Sequence, residues 1–242
     1  MSTQLSPPRD IVYPESDGQP MADNTLQWEW IATIKGGLDV IFADHPNVFV
    51  AGDLLWYPEE GNNKLRVAPD VMVAFGRPSG HRRSYLQWRE DNIAPQVVFE
   101  ILSQNNRGPE LLRKFRFYDQ YGVEEYYIYD PDEGVLSGWV RRDGALSEVA
   151  SMQGWVSPRL GVRFELDGIE LRLFDPTGKP FATYRELHVQ VEQERRRAEQ
   201  EHQRAEQERR RAEQEHQRAE QEHQRAERLM AQLQAMGVKP QQ

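Results

Sequence analysis

The segment Val97-Val98-Phe99-Glu100-Ile101-Leu102 is an apolar run broken by a single carboxylate. A continuous apolar run of this length reads as a strand covered on both faces, the kind that lies at the centre of a sheet with other elements packed above and below. Glu100 is therefore expected inside the protein. An unpaired carboxylate there is costly, so it must be neutralised, paired with a base or bound to a cation. The same irregularity recurs in Pro69-Asp70-Val71-Met72-Val73-Ala74-Phe75, where Asp70 opens an otherwise apolar strand. The chain thus places two acidic residues on neighbouring strands of one sheet.

Other apolar runs bounded by turn residues predict strands over 48–56, 67–75, 96–102, 124–129 and 135–140, with shorter ones over 162–166 and 169–174. Trp28, Ile31, Ile34, Leu38 and Ile41 fall at helical spacing behind Asn24 or Thr25 as a cap, although Gly36-Gly37 weakens the pattern. A second helix starts at Pro109, carries Leu111, Leu112, Phe115 and Tyr118 on one stripe, and stops at Gly122. This order of helix, strands, helix and strands predicts an α/β sheet domain over 25–182. Residues 1–24, rich in Pro and poor in apolar side chains, read as a flexible arm.

Beyond the domain, RAEQEHQ or RAEQERR recurs every seven residues, with Ala198, Ala205, Ala212, Ala219 and Ala226 in register with Val191 and Leu233. This predicts a long helix over 183–237 with heptad repeats, followed by a disordered end at 238–242. Three positions after the first four of these Ala stand Glu201, Glu208, Glu215 and Glu222, giving way to Leu229 and Met236 only at the end, so the seam is half polar and the coiled-coil tendency weak. The helix is either a solvated spacer held by Glu and Arg pairs or a device for homo-oligomerisation.

Composition narrows the chemistry. Acidic residues number 39 against 30 basic ones, for a net charge of −9, and the tail from residue 189 onward is balanced, so the remainder carries the excess. That argues against general coating of nucleic acid but allows a local basic patch. The absence of Cys excludes disulfides and thiolate metal sites. No stretch has the length of a membrane span and the N-terminus has no apolar signal region, so a cytoplasmic protein without membrane contact is expected.

Any metal would be held by oxygens. Asp70 and Glu100, with a backbone carbonyl and waters, suit Mg²⁺ or Mn²⁺. Lys114, on the flank of the second helix's apolar stripe, has a stem long enough to reach back over the sheet toward the carboxylates. Each residue also has a plainer role: Glu100 in a structural ion pair with Lys114 or Arg113, Asp70 capping a turn, Lys114 as a surface lysine. Asp53 is either a turn aspartate or a further carboxylate, and Glu29 is a weaker candidate on a solvated helix face. For substrate contact, Arg77, His81, Arg82, Arg83 and Arg89 are interleaved with Tyr85 and Trp88, a pattern that suits phosphate contact and stacking, or else an ordinary loop. Arg107, Arg113 and Arg116 would extend the patch.

The pieces APDVMVAFG, PQVVFEILS and KFRFYDQYGVEEYYIYDP, in that order, resemble the Uma-two type of restriction endonuclease domain within the PD-(D/E)XK nuclease superfamily. The resemblance spans roughly residues 25–180. It implies a restriction endonuclease-like mixed central sheet flanked by helices and metal-dependent hydrolysis of phosphodiester bonds, in DNA by analogy. Asp70 and Glu100 would be the Mg²⁺ or Mn²⁺ ligands and Lys114 the catalytic lysine; Arg82, Arg83 and Arg89, read from the basic and aromatic pattern of their loop, are the expected substrate contacts. Leu102 stands where the superfamily pattern has its lysine, which moves that role to Lys114 on the following helix, and Gln104 stands where the family usually has proline. The alternative is a catalytically inactive interaction module that keeps the fold and works through the C-terminal helix.

Overall fold

The computed structural model describes residues 11–16, 18, 20, 22–103 and 108–235. The expected disordered end at 238–242, Gln104 and Arg107 lie outside them. The chain forms two compact units, Met1–Arg185 and Glu186–Gln242.

The first unit opens with helix α1 (Thr25–Ile41), capped by Asn24, whose side chain accepts the Gln27 N–H at 2.8 Å. Ten strands follow: β1 (Val48–Gly52), β2 (Trp56–Tyr57), β3 (Val71–Phe75), β4 (Tyr85–Leu86), β5 (Val97–Ile101), β6 (Glu125–Asp130), β7 (Val135–Arg142), β8 (Ala145–Glu148), β9 (Arg163–Asp167) and β10 (Glu170–Phe174). Helix α2 (Pro109–Gln120) connects β5 to β6, with Pro109 in its first turn where no N–H is required. The main sheet runs β1-β3-β5-β6-β7-β8, and β9 pairs with β10 and β2 with β4 in two small ladders. Within the main sheet β5 and β6 are parallel and the other pairs antiparallel, because a helix crossover joins the parallel pair and shorter connections return the rest. The α/β class with a mixed central sheet is thus what the chain adopts.

Every residue of β5 and of β6 is buried, as the apolar runs demand. One face of the sheet packs Val71, Val73, Val97, Phe99 and Ile101 against Ile31, Ile34 and Leu38 of α1 and against the β9–β10 ladder. The other packs Met72, Ala74, Val98, Tyr126 and Ile128 against α2 and the small strands around Trp56 and Tyr85.

Several local readings change. The expected strand over 48–56 breaks after Gly52, where Asp53 takes φ 46°, and β2 leaves for a parallel ladder with β4. The strand expected from residue 67 starts only at Val71; Val67 makes an isolated bridge to Trp56, and Pro69 between them has no N–H for a ladder. On α1, Trp28 points outward and is 48% exposed, while Gln27 takes the buried position. Gly37 is not a flaw in that helix: a Cβ there would stand 2.2 Å from the Phe181 ring. On α2, Leu112 leaves the stripe and is exposed. Part of the N-terminal arm is docked. Tyr13 stacks edge-on against Tyr57, the Tyr57 hydroxyl donates to Pro14 O at 2.7 Å, and Arg83 reaches Glu15 at 2.9 Å.

The second unit continues helix α3 (Tyr184–Ala235), 52 residues, about 78 Å at 1.5 Å per residue. Its described side chains are almost all exposed. Ion pairs such as Glu206 with Arg210 at 2.6 Å supply the local support that its charge pattern predicts. Among the described residues no helix is long and apolar enough to cross a membrane.

Candidate active site

Side chains alternate along β5, so Glu100 shares with Val98 the face covered by α2. Asp70 immediately precedes β3, on the same parity as Met72 and Ala74 of that face. The register pairs Val71 with Phe99, which sets Asp70 one step beyond the ladder, beside Glu100. The β3 register stops at the Val71–Phe99 pair, and side chains reach the backbone of Ile101 beyond it. Asp70 Oδ2 accepts the Ile101 N–H at 2.6 Å, and Gln27 Nε2 donates to the Ile101 carbonyl at 2.8 Å.

Both Glu100 oxygens are engaged from α2. Lys114 Nζ donates to Oε2 at 2.7 Å and the Tyr118 hydroxyl to Oε1 at 2.5 Å. The two residues are four apart, so one helix face delivers both donors. Lys114 also stands 3.4 Å from the Ala68 carbonyl. Asp70, Glu100 and Lys114, selected from separate segments, therefore meet in one place.

Glu100 pairs with Lys114 and Asp70 stands near the pair in a buried setting, since Glu100 is 1% and Asp70 8% exposed. Burial, then the neighbouring Glu100, push the Asp70 carboxyl well above the usual carboxylate range, against the pull of Lys114 and the Ile101 amide. Asp53 adds a smaller push in the same direction, which places its charge near the pair although its backbone forms a turn. Burial works against the Lys114 charge, but Glu100 and Asp70 outweigh it and hold the ammonium above its ordinary range. It is thus a permanent cation at neutral pH.

The donors fit a hard divalent cation. Among the described residues no group of three or more His, Asp, Glu or Cys side chains assembles, and Mg²⁺ in particular is often held by one or two carboxylates, keeping water or phosphate oxygens elsewhere. Asp70 and Glu100 would supply two such carboxylates, and the Ala68 carbonyl lies in reach of the same lysine.

The remaining candidates divide. Arg82 is committed to Glu90 at 2.6 Å and lies over the Phe49 ring at 3.9 Å, and Arg77 holds the same carboxylate at 3.0 Å, so both arginines brace the loop. Arg83 pairs with Glu15, whereas Arg89 is exposed. Tyr85 is buried, its hydroxyl donating to Ile93 O. Glu29 is an exposed helix residue. Arg113 and Arg116 are exposed on α2, on either side of Lys114. Tyr118 and Gln27 were not foreseen in the site. The signal for Tyr118 was its spacing from Lys114; for Gln27 there was none, because its partner is 74 residues away.

Glu125 is a buried carboxylate outside the site. It accepts from Ser157, from the Tyr127 hydroxyl at 2.9 Å and from the Arg159 N–H at 2.7 Å, and stands at the opposite end of β6. Its donors satisfy it, so its role is to tie the segment after β8 to the sheet.

A family model described as "Uma2: Putative restriction endonuclease" matches residues 37–168, more than half of the chain and all three site residues. Among solved structures the chain is similar to the "crystal structure of a putative nuclease belonging to DUF820 from Anabaena variabilis ATCC 29413", at 14% identity and a TM-score of 0.43, over 60% of this chain and 79% of that one. No curated protein matches the chain.

Proposed function

Because this chain belongs to the Uma2 family of restriction endonuclease-type domains, we propose that it is a Mg²⁺- or Mn²⁺-dependent endonuclease that hydrolyses phosphodiester bonds in DNA, with Asp70, Glu100 and Lys114 as its working residues. The observation that carries this reading is the surplus of acid groups: two buried carboxyl side chains beside one lysine. A purely structural ion pair needs one carboxylate for one ammonium, and the second, although it accepts the Ile101 N–H, adds repulsion and desolvation cost beside the first. A cation makes the pair worth keeping.

Asp70 and Glu100 would hold the metal, which when bound polarises the scissile phosphate and lowers the pKa of a coordinated water. Lys114, anchored on Glu100, presents its remaining N–H bonds toward the anionic oxygens of the substrate and offsets the charge that builds there. The buried, aromatic-walled setting strengthens both interactions by excluding bulk water. Exposed Arg113 and Arg116 flank Lys114 on α2 and supply backbone phosphate contacts beside the site, with exposed Arg89 as a further one. Arg82 is left to its structural pairing.

The test is cleavage of supercoiled plasmid and of single-stranded DNA in Mg²⁺ or Mn²⁺, with EDTA and the Glu100→Ala and Lys114→Ala proteins as controls. Metal-dependent nicking absent from both variants is expected. No cleavage by the wild-type chain, or equal cleavage by the variants, would sink the proposal and leave the interaction module.

A further inference from the structure

Tyr118 sits on the apolar stripe of α2, yet its polar end reaches the site. The residue is fully buried, and its hydroxyl donates to Glu100 Oε1 at 2.5 Å while Lys114 takes Oε2 at 2.7 Å. Its ring is held on several sides. Trp56 stacks parallel to it at 6.3 Å, Tyr126 meets it edge-on at 5.0 Å and Phe117 at 6.0 Å. A rigid stack of this kind fixes the position of the hydroxyl, so the bond to Glu100 is set by packing and not by a freely turning side chain.

Tyr126 supplies an internal comparison. It packs against Tyr118 and is equally buried, but its hydroxyl has no hydrogen-bond partner among the described residues. One aromatic cluster therefore contains two buried phenols, of which one is tied to the carboxylate and one is not.

We infer that Tyr118 is a positioning residue for the cation site: its hydroxyl fixes the carboxylate plane of Glu100, and so sets the affinity of the Asp70–Glu100 pair for a divalent cation that Tyr118 itself does not touch. The inference rests on the proposed role of that pair as the cation's seat. Side chains that orient a ligand in this way are worth about 10–100-fold in metal affinity or activity. The spacing of Lys114 and Tyr118 then acquires a common purpose, because residues four apart on one helix address the two oxygens of one ligand.

The test is calorimetric titration of the full chain with Mn²⁺, for the wild type and for Tyr118→Phe, Tyr126→Phe, Trp56→Phe and Glu100→Gln, with melting temperatures alongside. Tyr118→Phe is expected to weaken Mn²⁺ binding about 10–100-fold and to move the half-saturating Mg²⁺ concentration for nicking upward by a similar factor. Tyr126→Phe removes a hydroxyl of the same size from the same cluster and is expected to bind Mn²⁺ like the wild type. Trp56→Phe loosens the stack without touching the hydroxyl and is expected to lower the melting temperature more than the affinity. Wild-type affinity in Tyr118→Phe alongside lost affinity in Glu100→Gln would overturn the Tyr118 assignment alone. Wild-type affinity in Glu100→Gln would overturn the carboxylate seat, and this inference with it.

Discussion

Lys114→Met keeps the stem of the side chain and removes only its ammonium, leaving Glu100 and Asp70 buried together without a counter-charge. The side chains of Glu100 and Lys114 are 1% and 13% exposed, so solvent does little to screen their interaction. Removing one partner of such a buried pair costs about 3–5 kcal/mol, a large part of the roughly 5–15 kcal/mol by which a domain is stable. In a unit of this size each kcal/mol lowers the melting temperature by about 2–4 °C, so a fall of roughly 6–20 °C is expected. The pH dependence has a definite sign. A carboxyl whose folded pKa is raised contributes stability that is complete below its unfolded value of about 3.9 and is lost as pH rises through the folded value. Asp70 is such a group, and Lys114 is one of the two influences holding its value down. Without Lys114 that value climbs further, and the variant's deficit grows with pH. Lys114 itself has a raised folded pKa, so its contribution is complete below its ordinary value of about 10.4 and is constant across the acidic and neutral range. Thermal melts followed by circular dichroism in EDTA, at about pH 5 and about pH 8, measure both effects. A melting temperature within about 3 °C of the wild type at the higher pH, or a deficit larger at the lower pH, would refute the reasoning.

Three further outcomes are expected. Gly36 and Gly37 are neighbours in α1 with opposite surroundings: a Cβ at Gly36 meets nothing within 4 Å, whereas one at Gly37 meets Phe181 at 2.2 Å. Gly36→Ala is therefore expected to stabilise by up to about 1 kcal/mol through helix propensity and Gly37→Ala to destabilise by about 1–3 kcal/mol through overpacking, read as opposite shifts of the urea midpoint. Gln27→Leu removes the side chain that donates to the Ile101 carbonyl at 2.8 Å and is expected to cost about 1–3 kcal/mol by the same measurement. Ser157→Ala deletes one of several donors to buried Glu125 and is expected to cost about 1 kcal/mol, with Arg159 N–H and Tyr127 still bound and DNA nicking unchanged.

Much of this protein is decided by local sequence. Val97 to Ile101 can only be a central strand, and its single carboxylate announces a buried charge that needs a partner. Pro109 and the spacing of Phe115 and Tyr118 set out α2 and turn Lys114 toward the sheet. The seven-residue repeat dictates a long helix, because its pattern of Ala, Glu and Arg suits i,i+4 pairing. Hydrophobic period, helix start signals and charge spacing are short-range properties, and they survive in any context that gives the strand a cover and the helix a sheet.

The partners of each polar group were settled only by the tertiary structure. Arg77 and Arg82 have the look of a phosphate-binding loop, but Glu90 folds back onto both and pairs with them. Asp53 sits at a turn in sequence and beside Asp70 in space. Tyr13 belongs to a Pro-rich arm of low apolar content, yet the rings of Tyr57 and Trp88 give it a surface to pack on. Gln27 is an ordinary first-turn residue until β3 ends short of Ile101 and leaves a carbonyl for it to meet. Apart from the arginine pairs to Glu90, which lie within one loop, the deciding contact joins residues far apart along the chain, and its energy depends on burial and strand register. Those are properties of the assembled sheet that no short stretch of sequence contains.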